Sequence, residues 1–443
     1  MPALTGSQIV SAKKNVSIPY IPPEIIQIIL NLLRDDKKTI AACTLVNHTF
    51  NLHATPILYN TIAFTSPHAF TLFINVMNDI KQRCSQMIHH LDLSSFSTCD
   101  LQKSSFKPQK FVTPELLIHI LRSFSELKAV SISKSLEFVI TLDVLKVLFI
   151  ECKNIKTIDF CGCATKRFSN ALDMFSSLIG RVKIESNCNN YDETTFSFRM
   201  TSQPLLSHLQ RLSFHECPVI SEYSIIIPIL AHAPNLTYLD LGGCSISDLT
   251  LNFLAETNIP TNLSHLLLAK CKNIPSKAIS SLVSKCSRLE TLNLYGDKDI
   301  TTTVINEYDL ISILRSPNAK NFRTLDIGSS QITPLVLTTI KENCPSLQNL
   351  GISKAQITNL NFIKDLLMAL PNLQYIDLTS VTCFNLLGYN LLNANSLLID
   401  INENNHSIHT IEMNESLLKK IYPVDGWIIN ANYAKRWYYS CET

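Results

Sequence analysis

The chain has 443 residues, of which 46% are hydrophobic and only 17% charged. Its 38 basic and 36 acidic side chains leave a formal net charge of +2, too weak a field to recruit nucleic acid or an anionic membrane by charge alone. Ten glycines, about a third of the roughly 7% of average usage, stand too far apart for a phosphate-cradling G-x-G-x-x-G, a Walker loop or a G-x-S-x-G elbow, and the enzyme classes built on those motifs are excluded.

Residues 1–17 read as a flexible N-terminus without the apolar core of a signal peptide. From 18 to 64 the pattern is helical. Ile21-Pro22-Pro23-Glu24 opens a helix that is apolar nearly all round, broken only by Gln27 and Asn31. Asp35 and Asp36 predict a capped turn, Ile40 to Cys43 a short helix, and Pro56 the end of the helices. A module of under about 50 residues can hardly cover such a first helix by itself, so a partner is implied. The order resembles the F-box. Ile21-Pro22-Pro23-Glu24-Ile25 forms its opening, and Leu45-Val46 with Phe50 its third-helix signature, with Phe50 where many members carry tryptophan. The continuation from Leu58-Tyr59 to Phe64, then a linker helix within 65–85, is similar to fungal F-box proteins with leucine-rich repeats. That resemblance implies docking on a Skp adaptor and, through it, on cullin and RING subunits. It makes Ile21, Pro22, Pro23, Ile25, Ile29, Leu45, Val46 and Phe50 the adaptor-facing candidates, some of them shared with the module's own core. The alternative is a module that only caps the repeats.

From 86 to 400 one phrase recurs: leucine-x-x-leucine-x-leucine, with Ile, Val or Phe as substitutes. It runs from Ile88-Leu91-Leu93 through Leu127-Val130-Ile132, Ile155-Ile158-Phe160 and Ile179-Val182-Ile184 to Leu373-Ile376-Leu378. From Leu209 onward the spacings are 27, 27, 26, 33, 25 and 26 residues. A cysteine or asparagine follows three residues after the phrase, as at Cys163, Asn187, Cys217, Cys244 and Cys271. The pattern resembles cysteine-containing leucine-rich repeats. Independently of that likeness, a short strand plus a helix in about 26 residues cannot bury its own apolar face, so copies stack. The predicted fold is α/β: a leucine-rich-repeat solenoid, parallel strands on a concave face and helices on a convex face, preceded by a small all-α F-box. The cysteines read as reduced and structural, since no C-x-x-C or H-E-x-x-H exists and the single C-x-C at Cys161 and Cys163 is a weak metal signal. Neither a metal nor a cofactor is expected, and reduced thiols point to the cytoplasm or nucleus.

The strand alternation places Arg181, Lys183, Arg211, His215, Tyr238, Asp240, His265, Tyr295, Asp326, Tyr375 and Asp377 on the concave face as candidates for binding a protein substrate. His215 and Asp240 could pair as acid and base, yet no nucleophile is registered beside them, and no catalytic residue is assigned. Gln102 to Lys110 reads as a disordered loop. Residues 401–443, with Trp427, Tyr433, Trp437, Tyr438 and Tyr439, read as a C-terminal cap or a tail that gates the face. The leading expectation is a non-catalytic substrate receptor of an SCF-type ubiquitin ligase. The alternative is a leucine-rich-repeat scaffold or regulator that does not direct ubiquitination.

Overall fold

The computed structural model describes residues 21–64, 67–79, 85–94, 112–188, 194–200, 203–296, 305–384, 390–405, 407–414 and 428–429. Residues 1–17, Gln102–Lys110 and the five C-terminal aromatic residues lie outside them. The chain divides into two units, Met1–Thr61 and Ile62–Thr443.

In the first unit, Pro23 starts helix α1 (Pro23–Leu32), where its missing N–H is not needed, and Glu24 lies in the first turn. Helix α2 (Lys37–Cys43) is capped by Asp36, whose carboxylate accepts the N–H groups of Lys38 and Thr39, both at 3.1 Å. Asn47 caps helix α3 (His48–Asn60) through the Phe50 N–H at 2.9 Å. Contrary to the sequence expectation, α3 runs through Pro56. The proline forfeits one helix hydrogen bond, but Ile57 and Leu58 beyond it pack on the module's core and hold the last turn. That core is small: Ile26, Leu30, Ile40 and Ala54 are buried, with Phe50 among the residues packed around them.

In the second unit the leucine phrases form strands, as predicted. The strands are β1 (Thr61–Ala63), β2 (His90–Leu93), β3 (Ala129–Ile132), β4 (Thr157–Asp159), β5 (Val182–Cys188), β6 (Thr194–Met200), β7 (Arg211–Ser213) and β8 (Tyr238–Asp240). They continue as β9 (His265–Leu267), β10 (Thr291–Asn293), β11 (Thr324–Asp326), β12 (Asn349–Gly351), β13 (Tyr375–Asp377), β14 (Thr410–Glu412) and β15 (Ile428–Ile429). All but β5 and β6 lie in one 13-stranded sheet in chain order. Neighbours from β2 to β15 pair in parallel, so the central leucines stack: Leu212, Leu239, Leu266, Leu292, Leu325 and Leu350 are each 0% exposed. Helices between the strands complete each repeat, many with side-chain caps such as Thr113, Thr165, Ser247 and Thr333.

Three side-chain ladders recur along the stack, two tying each repeat to the previous one and the third bracing the turn within each repeat. Cys217, Cys244 and Cys271 donate their thiols to the carbonyls of Phe160, Phe214 and Leu241, at 3.0, 3.1 and 3.2 Å. Asn154, Asn235, Asn262, Asn321 and Asn372 donate amides to carbonyls of the repeat before. The third ladder is acidic. Asp159, Asp240, Asp326 and Asp377 each accept the N–H two residues on, at 2.8 to 3.0 Å, and Asn293 does the same at 3.0 Å.

Just past this turn the chain adopts a left-handed conformation in repeat after repeat: Gly162, Glu216, Gly243, Lys270, Ser329, Lys354 and Ser380 all have φ between 54° and 75°. Glycine fills two of these seven sites. Other residues accept a strain of roughly 1–2 kcal/mol each. Gly351 serves a different need, since a Cβ there would lie 2.5 Å from Asp326 Oδ1.

Two sequence assignments change. The phrase Ile179-Val182-Ile184 does not enter the sheet: β4 pairs directly with β7, Thr157 opposite Arg211, and β5 pairs antiparallel with β6 in a separate ribbon. The ribbon rests on helices Ile227–His232 and Asp248–Glu256, with Phe198 edge-on to Phe253 at 5.2 Å. The sheet also continues beyond residue 400, because β14 pairs with β13 and β15 with β14. At the other end, the helix Pro67–Asp79 packs into the repeat core, with Phe64 against Phe70 and Phe73, both at 5.1 Å.

Candidate functional site

The first unit shows why its leading helix is apolar on more than one side. Ile26, Leu30 and Leu33 turn inward. The opposite face leaves Ile25, Ile28, Ile29 and Leu32 in solvent, at 45, 56, 40 and 81% exposure. Ile21, Leu45 and Val46 add 42, 86 and 61%. Single exposed leucines are ordinary; here branched aliphatics form a contiguous exposed apolar patch along one helix face and the loop after α2. Pro22 is exposed, Pro23 half-buried and Phe50 half-buried against the core, so Phe50 works as an anchor within the unit. Ile28, Leu32 and Leu52 were not among the adaptor-facing candidates, although the spacing of 25, 28 and 32 marks one helical face.

The sheet face opposite the helices separates the other candidates into two kinds. His215, Asp240, Asp326, Tyr375 and Asp377, read from sequence as candidates for binding a substrate, are at most 8% exposed and present little side-chain surface to a partner. The aspartates are committed to their turns, and Tyr375 donates its hydroxyl to Glu412 at 2.5 Å. Burial pushes the Tyr375 phenol far up and also raises the carboxyl of Asp377. The half-buried group is Arg211, Tyr238, His265 and Tyr295. Three of them form a stacked row across adjacent strands: the Arg211 guanidinium lies 4.4 Å over the Tyr238 ring, and Tyr238 and His265 are 5.4 Å apart. Burial and the Arg211 charge hold the His265 pKa down at about 4, so that ring is neutral at pH 7. Arg211 Nε is buried without a hydrogen-bond partner among the described residues. Arg181 and Lys183 leave this face altogether, because their segment sits in the ribbon.

His215 and Asp240 do meet, Nδ1 to Oδ1 at 3.2 Å, both buried. Burial alone would lower the histidine pKa; the bond to Asp240, with the charges of Asp240 and Glu216, raises it instead. Beside them, burial lifts Asp159 to about 6. The neighbouring Cys161 thiol is pushed up to about 12 by burial and by Asp159, so it is protonated at neutral pH and unsuited to nucleophilic attack. The cluster orders turns rather than assembling a reacting centre. Among the described residues no group of three or more His, Cys, Asp or Glu could hold a metal ion.

Comparison with known proteins bears on both units. Residues 18–99 match the family described as the COS11 F-box domain. Over 292 residues the chain is 25% identical to the F-box protein YLR352W of Saccharomyces cerevisiae, a match that takes in 60% of this chain and 34% of that protein. The chain thus spans about a third of the length of this curated relative. Among solved structures, a chain from the Rad7 and Elc1 complex of yeast is similar, with a TM-score of 0.49, 15% identity and 94% of each chain covered.

Proposed function

As the chain carries an F-box domain ahead of a leucine-rich-repeat solenoid, we propose that it is the substrate-recognition subunit of an SCF-type ubiquitin ligase. The first unit docks on a Skp-type adaptor, which brings cullin and RING subunits, and the repeats capture a protein substrate. One observation carries the reading. A unit whose core holds few buried side chains displays Ile25, Ile28, Ile29 and Leu32 along one helix face, beside Leu45 and Val46. That surface suits burial against a partner protein.

The role is non-catalytic. Holding a substrate near a charged conjugating enzyme raises its effective concentration, and the receptor need break no bond itself. On the repeats, the row of Arg211, Tyr238 and His265 is a half-buried part of the sheet face that offers flat, cationic and aromatic contacts of the kind favoured at interface centres. Reduced thiols suit action in the cytoplasm or nucleus.

Co-purification tests the proposal. The full chain is expected to bring down a Skp-type adaptor and cullin, and Ile25→Asp with Leu45→Asp to lose both while the repeats stay folded. Retention of the adaptor by that double variant overturns the assignment. Adaptor binding without any cullin or ubiquitin transfer identifies a scaffold instead.

A further inference from the structure

The ribbon β5–β6 has no counterpart in the repeat pattern. Its strands are seven residues long, against two to four in the main sheet, and it pairs with neither β4 nor β7. One side is packed: Val182 is buried and Phe198 meets Phe253. The other side points to solvent and puts Lys183 directly opposite Arg199, both exposed. Like charges facing each other across a strand pair destabilise it, and neither has an acidic partner among the described residues. Arg181, also exposed, extends the basic end, while Glu185 opposite Ser197 limits it two residues along. A two-stranded ribbon is marginal by itself, and a strand edge in general offers backbone N–H and C=O groups with which a further strand can pair.

We propose that the ribbon β5–β6 is a docking site for an extended acidic segment of a partner protein, which adds as a third strand and sets a carboxylate over the Lys183–Arg199 pair. The two features favour the same occupant. The strand edge supplies main-chain hydrogen bonds and the cation pair selects acidic side chains. A nucleic acid fits poorly, since affinity for it rests on neutralising many phosphates and this surface offers three cations against one carboxylate. The site uses none of the residues of the helical unit or of the stacked row, and stands whether or not the chain serves a ubiquitin ligase.

The test uses the full chain and a fluorescein-labelled peptide of alternating glutamate and threonine, read by anisotropy. Lys183→Glu turns the like-charge pair into an opposite-charge pair, so the ribbon stays folded while the ligand site is lost. Binding is expected to weaken at least about tenfold in Lys183→Glu. It is expected to reverse in the Lys183→Glu/Arg199→Glu variant, which takes a labelled peptide of alternating lysine and threonine instead. Bound peptide is further expected to slow amide hydrogen exchange within 182–188 or 194–200. Absence of peptide binding, indifference to Lys183→Glu, unchanged exchange, or stronger binding of single-stranded DNA or phosphatidylserine vesicles overturns the proposal.

Discussion

Replacing Leu32 and Leu45 by alanine separates the proposed docking role from folding. Both side chains are more than four-fifths exposed, so their truncation removes almost no burial from the free protein. Full burial of a leucine side chain is worth about 1.5–3 kcal/mol. Scaled by exposures of 81 and 86%, burial against an adaptor is worth about 1–2.5 kcal/mol for each. Alanine keeps the Cβ, so the pair together is expected to lose about 2–4 kcal/mol, or roughly thirtyfold to several hundredfold in Kd. Calorimetric titration of the adaptor measures that loss, and a thermal melt of the free protein is expected to stay within about 1 °C. Leu30→Ala is the internal contrast, since Leu30 is 0% exposed and its truncation is expected to destabilise the unit by about 2–5 kcal/mol. A surface double variant that melts early while binding normally would falsify the assignment of this face.

The acidic ladder predicts a difference between two substitutions. Asp326→Ala strands the buried Gly328 N–H and is expected to cost about 1–3 kcal/mol in urea unfolding, whereas Asp326→Asn keeps the acceptor, as Asn293 does in its own repeat, and is expected to be close to neutral. Gly351→Ala presses a Cβ toward Asp326 and is expected to lose about 1–3 kcal/mol; in an Asp326→Ala background most of that loss is expected to vanish, and additive losses refute the steric account. At the left-handed turns, Glu216→Gly is expected to stabilise by up to about 1 kcal/mol, relief of strain outweighing the added freedom of the unfolded chain, and Gly243→Ala to destabilise by about 1–2 kcal/mol. For pH, Asp159 binds its proton more tightly when folded than when unfolded, with a pKa of about 6 against the ordinary value near 3.8, so its contribution is full below about pH 4 and is lost as pH rises to 6. Relative to Asp159→Asn, the natural protein is expected to lose on the order of 3 kcal/mol across that window in unfolding experiments, and parallel curves reject the shift. His215, whose pKa is also raised, adds a loss of the same sign at higher pH.

Much of the fold was legible because each repeat carries its own signal. An apolar phrase at intervals near 26 residues leaves stacking as the only way to bury it, and local spacing is enough to reveal that. The same holds for the inner face of α1. What local pattern could not settle is which partner a strand takes. Val182-x-Ile184 alternates as any repeat strand does, yet β4 bypasses it for β7, and the ribbon instead lays Phe198 on Phe253.

The candidate site was legible only by position. Alternation places Asp240, Asp326 and Asp377 on the side away from the leucines, but their burial depends on neighbouring strands and on turn N–H groups aimed back at each carboxylate. The scarcity of glycine shows the same division. Composition excluded phosphate loops and catalytic elbows outright, because those need glycines close together in the chain. Only the tertiary structure showed that seven of the turns after strands take a left-handed residue, most often not glycine, and that Gly351 is small to make room for Asp326. Periodicity along the chain determined that the repeats stack; the contacts made across the stack decided which side chains remain for a partner to meet.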